Sequence, residues 1–194
     1  MKGWAGQIYN YSDEGEGGGG GQSYSFSFES GTEGWNQIDA DGDGNTWSRY
    51  SGEGHNNSSY YVASASFVNN VGAVTPDNYL YTPQRYAVSN GASISFYVCA
   101  QDAGWPAEHY GVAVATTSSN PTASNFVTIW EETLTAKARS RGKARGSNEQ
   151  GTWYLKTVDL SAYAGQSIWI AIRHFNCTDQ FYIDVDDITI STGN

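Results

Sequence analysis

Three aspartates, Asp39, Asp41 and Asp43, occupy alternate positions of one short stretch. Gly42 and Gly44 follow the second and the third of them. Carboxylate oxygens gathered on a tight turn are the hard ligands that Ca²⁺ prefers. The stretch begins like an EF-hand loop, but the twelfth position of such a loop needs a bidentate acid and here holds a tyrosine. The alternative is a solvated acidic surface turn. Because three like charges this close are costly unless a cation offsets them, the pattern favours a calcium site.

A second group of carboxylates lies near the end of the chain, at Asp184, Asp186 and Asp187. Alternation along a strand places the first two on one face and the third on the other. Glu29 closes the first predicted strand, and the first and last strands of a jelly roll often lie side by side. A calcium ion joining them would need Glu29, one of these aspartates and backbone carbonyls. The alternative is the polar outer face of an edge strand.

Asp102 and Glu108 bracket a loop of sequence AQDAGWPAEHY and form a third candidate pair for a metal ion. The alternative for this pair is a capping or turn role. His174 closes another predicted strand, and we interpret it as a structural histidine rather than a general base.

Seven tryptophans and fourteen tyrosines could supply rings that stack on sugar faces, although most of them must belong to the core. Trp130, Trp153 and Trp169 lie in strand patterns and are predicted to pack inside. The candidates for exposed rings lie near loops, although burial is the commoner outcome for each of them: Trp47, Trp105, Tyr79 and Tyr81.

Half of the ten cationic side chains fall within nine residues, at Lys137, Arg139, Arg141, Lys143 and Arg145, whereas twenty Asp and Glu are spread elsewhere. This basic segment contains glycine and small residues and no apolar stripe, so it is interpreted as a long exposed loop. Such a loop is a target for trypsin-like cleavage, or a docking patch for an acidic partner or a sulfated glycan. The alternative is a plain solvated loop.

The length of 194 residues indicates one globular domain, and the net charge of −10 argues against nucleic-acid binding and against an anionic membrane surface. No apolar run is long enough for a membrane helix, and the N-terminus lacks the apolar core of a signal peptide. The chain has no nucleophile elbow, zinc-protease motif or phosphate-binding loop. Glu131 and Glu132 are adjacent, so in a strand they face opposite ways and cannot flank one glycosidic bond. We therefore predict no enzyme activity, and a hydrolase is the least favoured alternative.

Only two cysteines occur, Cys99 and Cys177, which are too few for a disulfide scaffold and wrongly spaced for a zinc site. Cys99 lies in an alternating strand pattern and is predicted to be a buried thiol. A single Cys99–Cys177 bridge is the alternative if the protein is exported.

From residue 22 onward the apolar residues follow period two, in short stretches separated by Gly, Asn, Ser and Pro. Many short strands without intervening helices predict an all-β fold, an antiparallel jelly-roll β-sandwich. We divide the chain into a flexible acidic, glycine-rich linker over 1–21, the sandwich over 22–191 and a tail over 192–194.

Several of these stretches together resemble the cleaved adhesin domain family, best known from the adhesin regions of gingipains and related bacterial surface haemagglutinins. The resemblance covers about residues 24 to 190 and rests on motifs that occur in the family's order: FESGTEGWNQIDADGDGNTW, TPDNYLYTP, FYVCAQDAGWPAEHYGVAVAT, EETLTAK, and the segment from GTWYLKTVDL to IRHFNCTDQFYIDVDDI.

The resemblance implies a calcium-binding, non-catalytic adhesion module, monomeric within a larger secreted or surface-anchored bacterial polypeptide. Its partners would be host extracellular or cell-surface proteins; the alternative is a carbohydrate-binding, lectin-like module. We place the partner contacts at the basic segment and at Trp105. The family's acidic positions correspond here to the candidate Ca²⁺ ligands Glu29, Asp39, Asp41, Asp43, Asp102, Glu108 and Asp187.

Overall fold

The computed structural model describes residues 21–135 and 150–194. Of the predicted N-terminal linker only Gly21 is described, and the basic segment at 137–145 lies outside the described residues. Three short 3₁₀ helices are present in the described part, at His55–Asn57, Ala123–Asn125 and Ser161–Tyr163.

Strands make up the rest of the regular structure, as the period-two pattern predicts. Those in the described part are β1 (Ser23–Phe26), β2 (Asn36–Asp39), β3 (Ser48–Ser51), β4 (Tyr60–Ala65), β5 (Phe67–Val68), β6 (Gly72–Ala73), β7 (Asn78–Tyr81), β8 (Tyr86–Ala87), β9 (Ser93–Ala100), β10 (His109–Ala115), β11 (Val127–Thr133), β12 (Tyr154–Asp159), β13 (Ser167–His174) and β14 (Tyr182–Ser191).

Two six-stranded antiparallel sheets form the sandwich, which confirms the predicted fold class. Sheet A has the order β12-β9-β14-β4-β3, with β1 paired to β14 as well. Sheet B has the order β11-β10-β13-β7-β2, with β8 paired to β13. The first and last strands lie side by side, Ser23 opposite Ser191, as expected. Because β14 lies between β9 and β4, its aspartates do not lie on an edge strand, and that alternative is wrong.

The main core lies between the two sheets and consists of the inward faces of their central strands. Ile94, Phe96 and Val98 on β9 face Ile170 and Ile172 on β13, and all five side chains are fully buried. β-Branched and aromatic side chains suit these positions because they pack well on a pleated surface. The apolar alternation of the sequence therefore reflects the packing of one sheet on the other.

Three of the four aromatic side chains named as candidates for exposed rings are buried. Trp47 is 2% exposed, Tyr79 3% and Tyr81 9%, whereas Trp105 is half-buried. The indole N–H of Trp47 donates to the carbonyl of Asn78 at 3.1 Å, which accounts for its polar atom inside the protein.

Tyr79 and Tyr81 are buried because a second apolar cluster covers the outer face of sheet B. Phe126 stacks on Tyr79 with ring centroids 5.3 Å apart, and Trp169 meets Tyr81 edge to face. The loop between β10 and β11 closes over this face, and the indole N–H of Trp169 donates to the carbonyl of Thr117. A strand pattern cannot predict this burial, because it depends on where a distant loop folds back.

Of the three tryptophans predicted to lie inside, Trp169 is buried and Trp130 packs, partly buried, against the core. Trp153 is half-buried beside Tyr61 on the outer face of sheet A and does not belong to the core, so its prediction is wrong.

Both cysteines are free, and the alternative of a disulfide bridge is therefore wrong. Cys99 is a buried thiol, as predicted, and contacts the carbonyl of Gly151. Cys177 lies in the loop between β13 and β14, next to His174.

Candidate functional site

The acidic turn begins at the end of β2 and folds around the carboxylate of Asp39. This carboxylate accepts the backbone N–H groups of Gly42, at 2.7 Å, and Gly44, at 2.9 Å. Both glycines have positive φ angles, +75° and +83°, a conformation that costs glycine nothing sterically. Asp41 and Asp43 each accept the N–H two residues further on. These bonds to the backbone fix the turn.

One side-chain oxygen from each of Asp39, Asp41 and Asp43 lies within 4.8 Å of the others. Burial disfavours the charged form of Asp39, but N–H bonds from Gly44 and Gly42 outweigh that effect and lower its pKa. For Asp41, burial outweighs the backbone N–H bonds and, together with the neighbouring Asp39 and Asp43 carboxyl groups, raises its pKa above the ordinary value. The turn therefore gathers hard oxygen donors whose repulsion a divalent cation would relieve, and the donor set fits Ca²⁺.

An ion pair connects the acidic turn to the middle of sheet B. The backbone N–H of Asp77 donates to the Asp41 carboxylate at 2.7 Å, and the Asp77 carbonyl accepts the N–H of Ala40. The Asp77 carboxylate in turn accepts two N–H groups of the Arg173 guanidinium, at 2.7 and 3.0 Å. Sequence reasoning did not single out Asp77 and Arg173, although both lie in motifs that carry the family resemblance.

Glu29 and Asp187 contact different residues between the end of β3 and the start of β4. Glu29 Oε1 accepts the backbone N–H groups of Ser59 and Tyr60, each at 2.9 Å. Asp187 Oδ2 lies 2.7 Å from Nδ1 of His55. Neither carboxylate belongs to a cluster of three or more ligating side chains within 21–135 and 150–194. A calcium ion held by both carboxylates would therefore need backbone carbonyls as further ligands.

Asp184 and Asp186 lie on the outer face of sheet A and are nevertheless buried. The amide N–H of Gln101 donates to Asp184 at 3.0 Å, and that of Gln150 at 3.4 Å. Burial raises the pKa of Asp184 well above its ordinary value, and these two hydrogen bonds offset the effect only in part. A carboxyl group in this environment is stabilised in its neutral form.

Asp102 and Glu108 make hydrogen bonds to different partners. Asp102 accepts the N–H of Gly104 at 2.7 Å, and its carbonyl accepts the N–H of Trp105, which is the turn role left open above. Glu108 instead contacts His174 and Cys177, both distant in the sequence.

A groove lies on the outer face of sheet A where β1, β9, β12 and β14 meet. Leu155 on its wall is 57% exposed, and the Tyr97 ring is stacked on His55 with centroids 3.4 Å apart. The groove combines hydroxyl, carboxylate and apolar groups, from Ser25, Ser27, Ser95, Thr189, Asp187, Phe26, Ile188, Tyr97 and Leu155. Sequence reasoning did not predict this groove, which forms only when four strands distant in the chain are paired.

Two antiparallel six-stranded sheets packed face to face, with an acidic turn at the end of β2, define a β-sandwich domain of the jelly-roll type. The model of one family, the Cleaved Adhesin Domain, matches residues 22–190. The chain belongs to this family, and the resemblance seen in the sequence is confirmed.

Relatives in Porphyromonas gingivalis include Hemagglutinin A of strain W83, 46% identical over 169 residues, and Lys-gingipain W83, also 46% identical. Both matches cover 82% of this chain, but only 8% and 9% of the relatives, so the chain spans less than a tenth of their length.

Among solved structures, the K3 cleaved adhesin domain of Lys-gingipain from the same organism is 45% identical, with a TM-score of 0.77 over 88% of this chain and 98% of that one. The K1 domain is 43% identical, with a TM-score of 0.74 over 90% and 100% of the two chains. A domain named TmCBM61, in complex with β-1,4-galactotriose, is only 14% identical at a TM-score of 0.52, over 84% of this chain and 92% of that one, which shows the fold alone.

No helix within the described residues is long and apolar enough to cross a membrane.

We expect Asp184→Asn to change how stability depends on pH. The folded state raises the pKa of Asp184, so protonated Asp184 contributes to the free energy of unfolding. This contribution is fully present below the ordinary pKa of 3.8 and is lost as pH rises through the folded-state pKa. As pH rises from 4 to 7, the free energy of unfolding of the variant should therefore increase relative to that of the wild type, measured by urea unfolding.

Asp159→Asn provides a control of opposite sign. Hydrogen bonds from the Ser161 side chain and backbone lower the pKa of Asp159, so this variant should fall behind the wild type at pH 7 and approach it as pH falls. An Asp184→Asn variant with the same pH profile as the wild type would show that Asp184 is charged in the folded protein.

Proposed function

We propose that this chain is a calcium-stabilised, non-catalytic adhesion module within a larger secreted or cell-surface bacterial protein. Membership of the Cleaved Adhesin Domain family supports the adhesin role, and Hemagglutinin A is among its much longer relatives. The observation that carries the calcium component is the convergence of Asp39, Asp41 and Asp43 on one turn.

The residues of the turn would hold Ca²⁺ through carboxylate oxygens, each of which keeps free lone pairs beside its bond to the backbone. The bound ion would offset the mutual repulsion of three carboxyl groups on a turn in which the pKa of Asp41 is raised. Glu29 and Asp187 remain our candidates for a second ion that also uses carbonyls. Asp102 and Glu108 are weaker candidates for calcium, because both are fully buried and neither belongs to an all-carboxylate cluster in the described residues.

The absence of catalysis is part of the proposal, and the positions of the adjacent glutamates on β11 support it. Glu132 accepts the hydroxyl of the buried Tyr110 and pairs with Lys156 at 2.6 Å. Glu131 points to the other face, where its side chain is 54% exposed. Two carboxyl groups on opposite faces of a strand cannot act on one substrate bond.

We expect Ca²⁺ to raise the melting temperature of the chain and EDTA to reverse the rise. An ion that binds only the folded state adds about 2.7 kcal/mol at a hundred times its dissociation constant. Asp41→Asn removes a ligand and should shrink the shift, whereas Glu53→Gln removes the same charge from an exposed position outside the turn and should preserve it. Melting curves that EDTA leaves unmoved would refute the calcium component.

We expect the chain to bind immobilised extracellular-matrix proteins or erythrocytes through its basic segment. Replacing Lys137, Arg139, Arg141, Lys143 and Arg145 with glutamine should weaken binding roughly tenfold or more, most strongly at low salt. A control variant that exchanges Lys for Arg and Arg for Lys at the same positions keeps the charge and should bind normally. Equal binding by the neutral variant would exclude this segment as the contact surface.

Glycan binding is the second candidate function, and the groove beside Tyr97 favours it, because stacked rings and nearby hydroxyl groups are what sugars contact. A glycan array separates the two functions. A defined sugar signal that Tyr97→Ala or Trp105→Ala abolishes would favour the glycan function. Matrix-protein binding without a sugar signal would favour adhesion to proteins.

A further inference from the structure

Glu108, His174 and Cys177 form a compact cluster of three chemically different ligating groups. Glu108 immediately precedes β10, His174 ends β13, and Cys177 follows in the next loop. His174 Nε2 lies 3.0 Å from Glu108 Oε2 and 3.1 Å from Cys177 Sγ, and the sulfur lies 3.4 Å from Oε2. These three atoms form a nearly equilateral triangle.

The size and chemistry of this triangle match those of a tetrahedral metal centre. Ligand atoms about 2.0–2.3 Å from a tetrahedral ion are separated by about 3.3–3.8 Å, so the observed separations need to expand by only a few tenths of an ångström. A nitrogen, a sulfur and a carboxylate oxygen are the donors that Zn²⁺ accepts, whereas Ca²⁺ takes oxygen alone.

Hydrogen bonds with neighbouring residues orient two of the three side chains, His174 and Glu108. Nδ1 of His174 lies 2.9 Å from the Ser64 hydroxyl, so its other nitrogen, Nε2, is directed to the cluster. Glu108 Oε1 accepts the Ser66 hydroxyl at 2.9 Å and the Phe181 N–H at 2.8 Å, which leaves Oε2 for the cluster. Such outer hydrogen bonds are the usual means of orienting metal ligands.

Access to the cluster comes from the side of Cys177. Glu108 and His174 are fully buried, whereas Cys177 is half-buried in a loop whose neighbouring residues Asn176 and Thr178 are exposed. An ion entering there would meet the thiol first, with a fourth coordination position left for water from the loop side.

We propose that Glu108, His174 and Cys177 form a Zn²⁺-binding site, separate from the acidic turn. Binding forms the Zn–S, Zn–N and Zn–O bonds, and the Cys177 thiol proton, with any proton on His174 Nε2, leaves to solvent. Without the ion, the three side chains hydrogen-bond one another, and burial raises the pKa of Cys177, which keeps the thiol protonated. Affinity for Zn²⁺ therefore falls as pH is lowered. The ion would fasten the β13–β14 loop to the start of β10.

The test is titration of the metal-free full chain with Co²⁺, followed by displacement with Zn²⁺. One Co²⁺ per chain should give tetrahedral visible bands together with a near-ultraviolet thiolate-to-cobalt band, and Zn²⁺ should erase them. Cys177→Ser should abolish the thiolate band, and Ser64→Ala should lower affinity about 10–100-fold.

Cys99→Ser is the matched control, because it removes the other buried thiol and should leave the cobalt spectrum unchanged. Asp41→Asn should also retain it, which separates this site from the calcium turn. The wild-type spectrum is informative even if a variant fails to fold. Absence of stoichiometric Co²⁺ and Zn²⁺ binding to the wild type, or binding that a folded Cys177→Ser variant retains in full, would overturn the proposal.

Discussion

Twenty carboxylate side chains against ten Lys and Arg leave this chain strongly acidic, and the described residues stabilise individual carboxyl groups in three ways. Backbone N–H groups surround Asp39 in the acidic turn. Asp184, which is buried, is stabilised with its proton in place. Asp77 pairs with the Arg173 guanidinium. A bound divalent cation would be a fourth way, at the point where three aspartates converge and hydrogen bonds alone leave the pKa of Asp41 raised.

The contacts of Asp77 connect the acidic turn to a central strand of sheet B. Asp41 accepts the N–H of Asp77, and the Asp77 carboxylate binds Arg173 on β13, a central strand of sheet B. Ordering the turn therefore also fixes the ends of β2 and β7, which pair beside it. Adhesion surfaces are commonly loops held by such a scaffold, and a cation would stiffen one of these loops without taking part in any reaction.

Local alternation made the sandwich predictable, because the inward faces of β9 and β13 carry uninterrupted apolar stripes such as Ile94, Phe96 and Val98. The acidic turn was predictable because its three carboxylates lie within five consecutive residues. The cluster at His174 was not, because Glu108 lies 66 positions away and only the pairing of β10 with β13 brings the two together. The motifs EHY and RHFNC contained the signal, but no spacing rule connects them.

We propose above all that a divalent cation completes the acidic turn of this adhesin module. The most direct test is native mass spectrometry of the full chain, equilibrated with Ca²⁺ and then exchanged into calcium-free volatile buffer. We predict that at least one calcium ion per chain is retained, and that an Asp39→Asn, Asp41→Asn, Asp43→Asn triple variant retains one fewer. A calcium-free wild-type mass, or the same ion count in both proteins, would contradict the account.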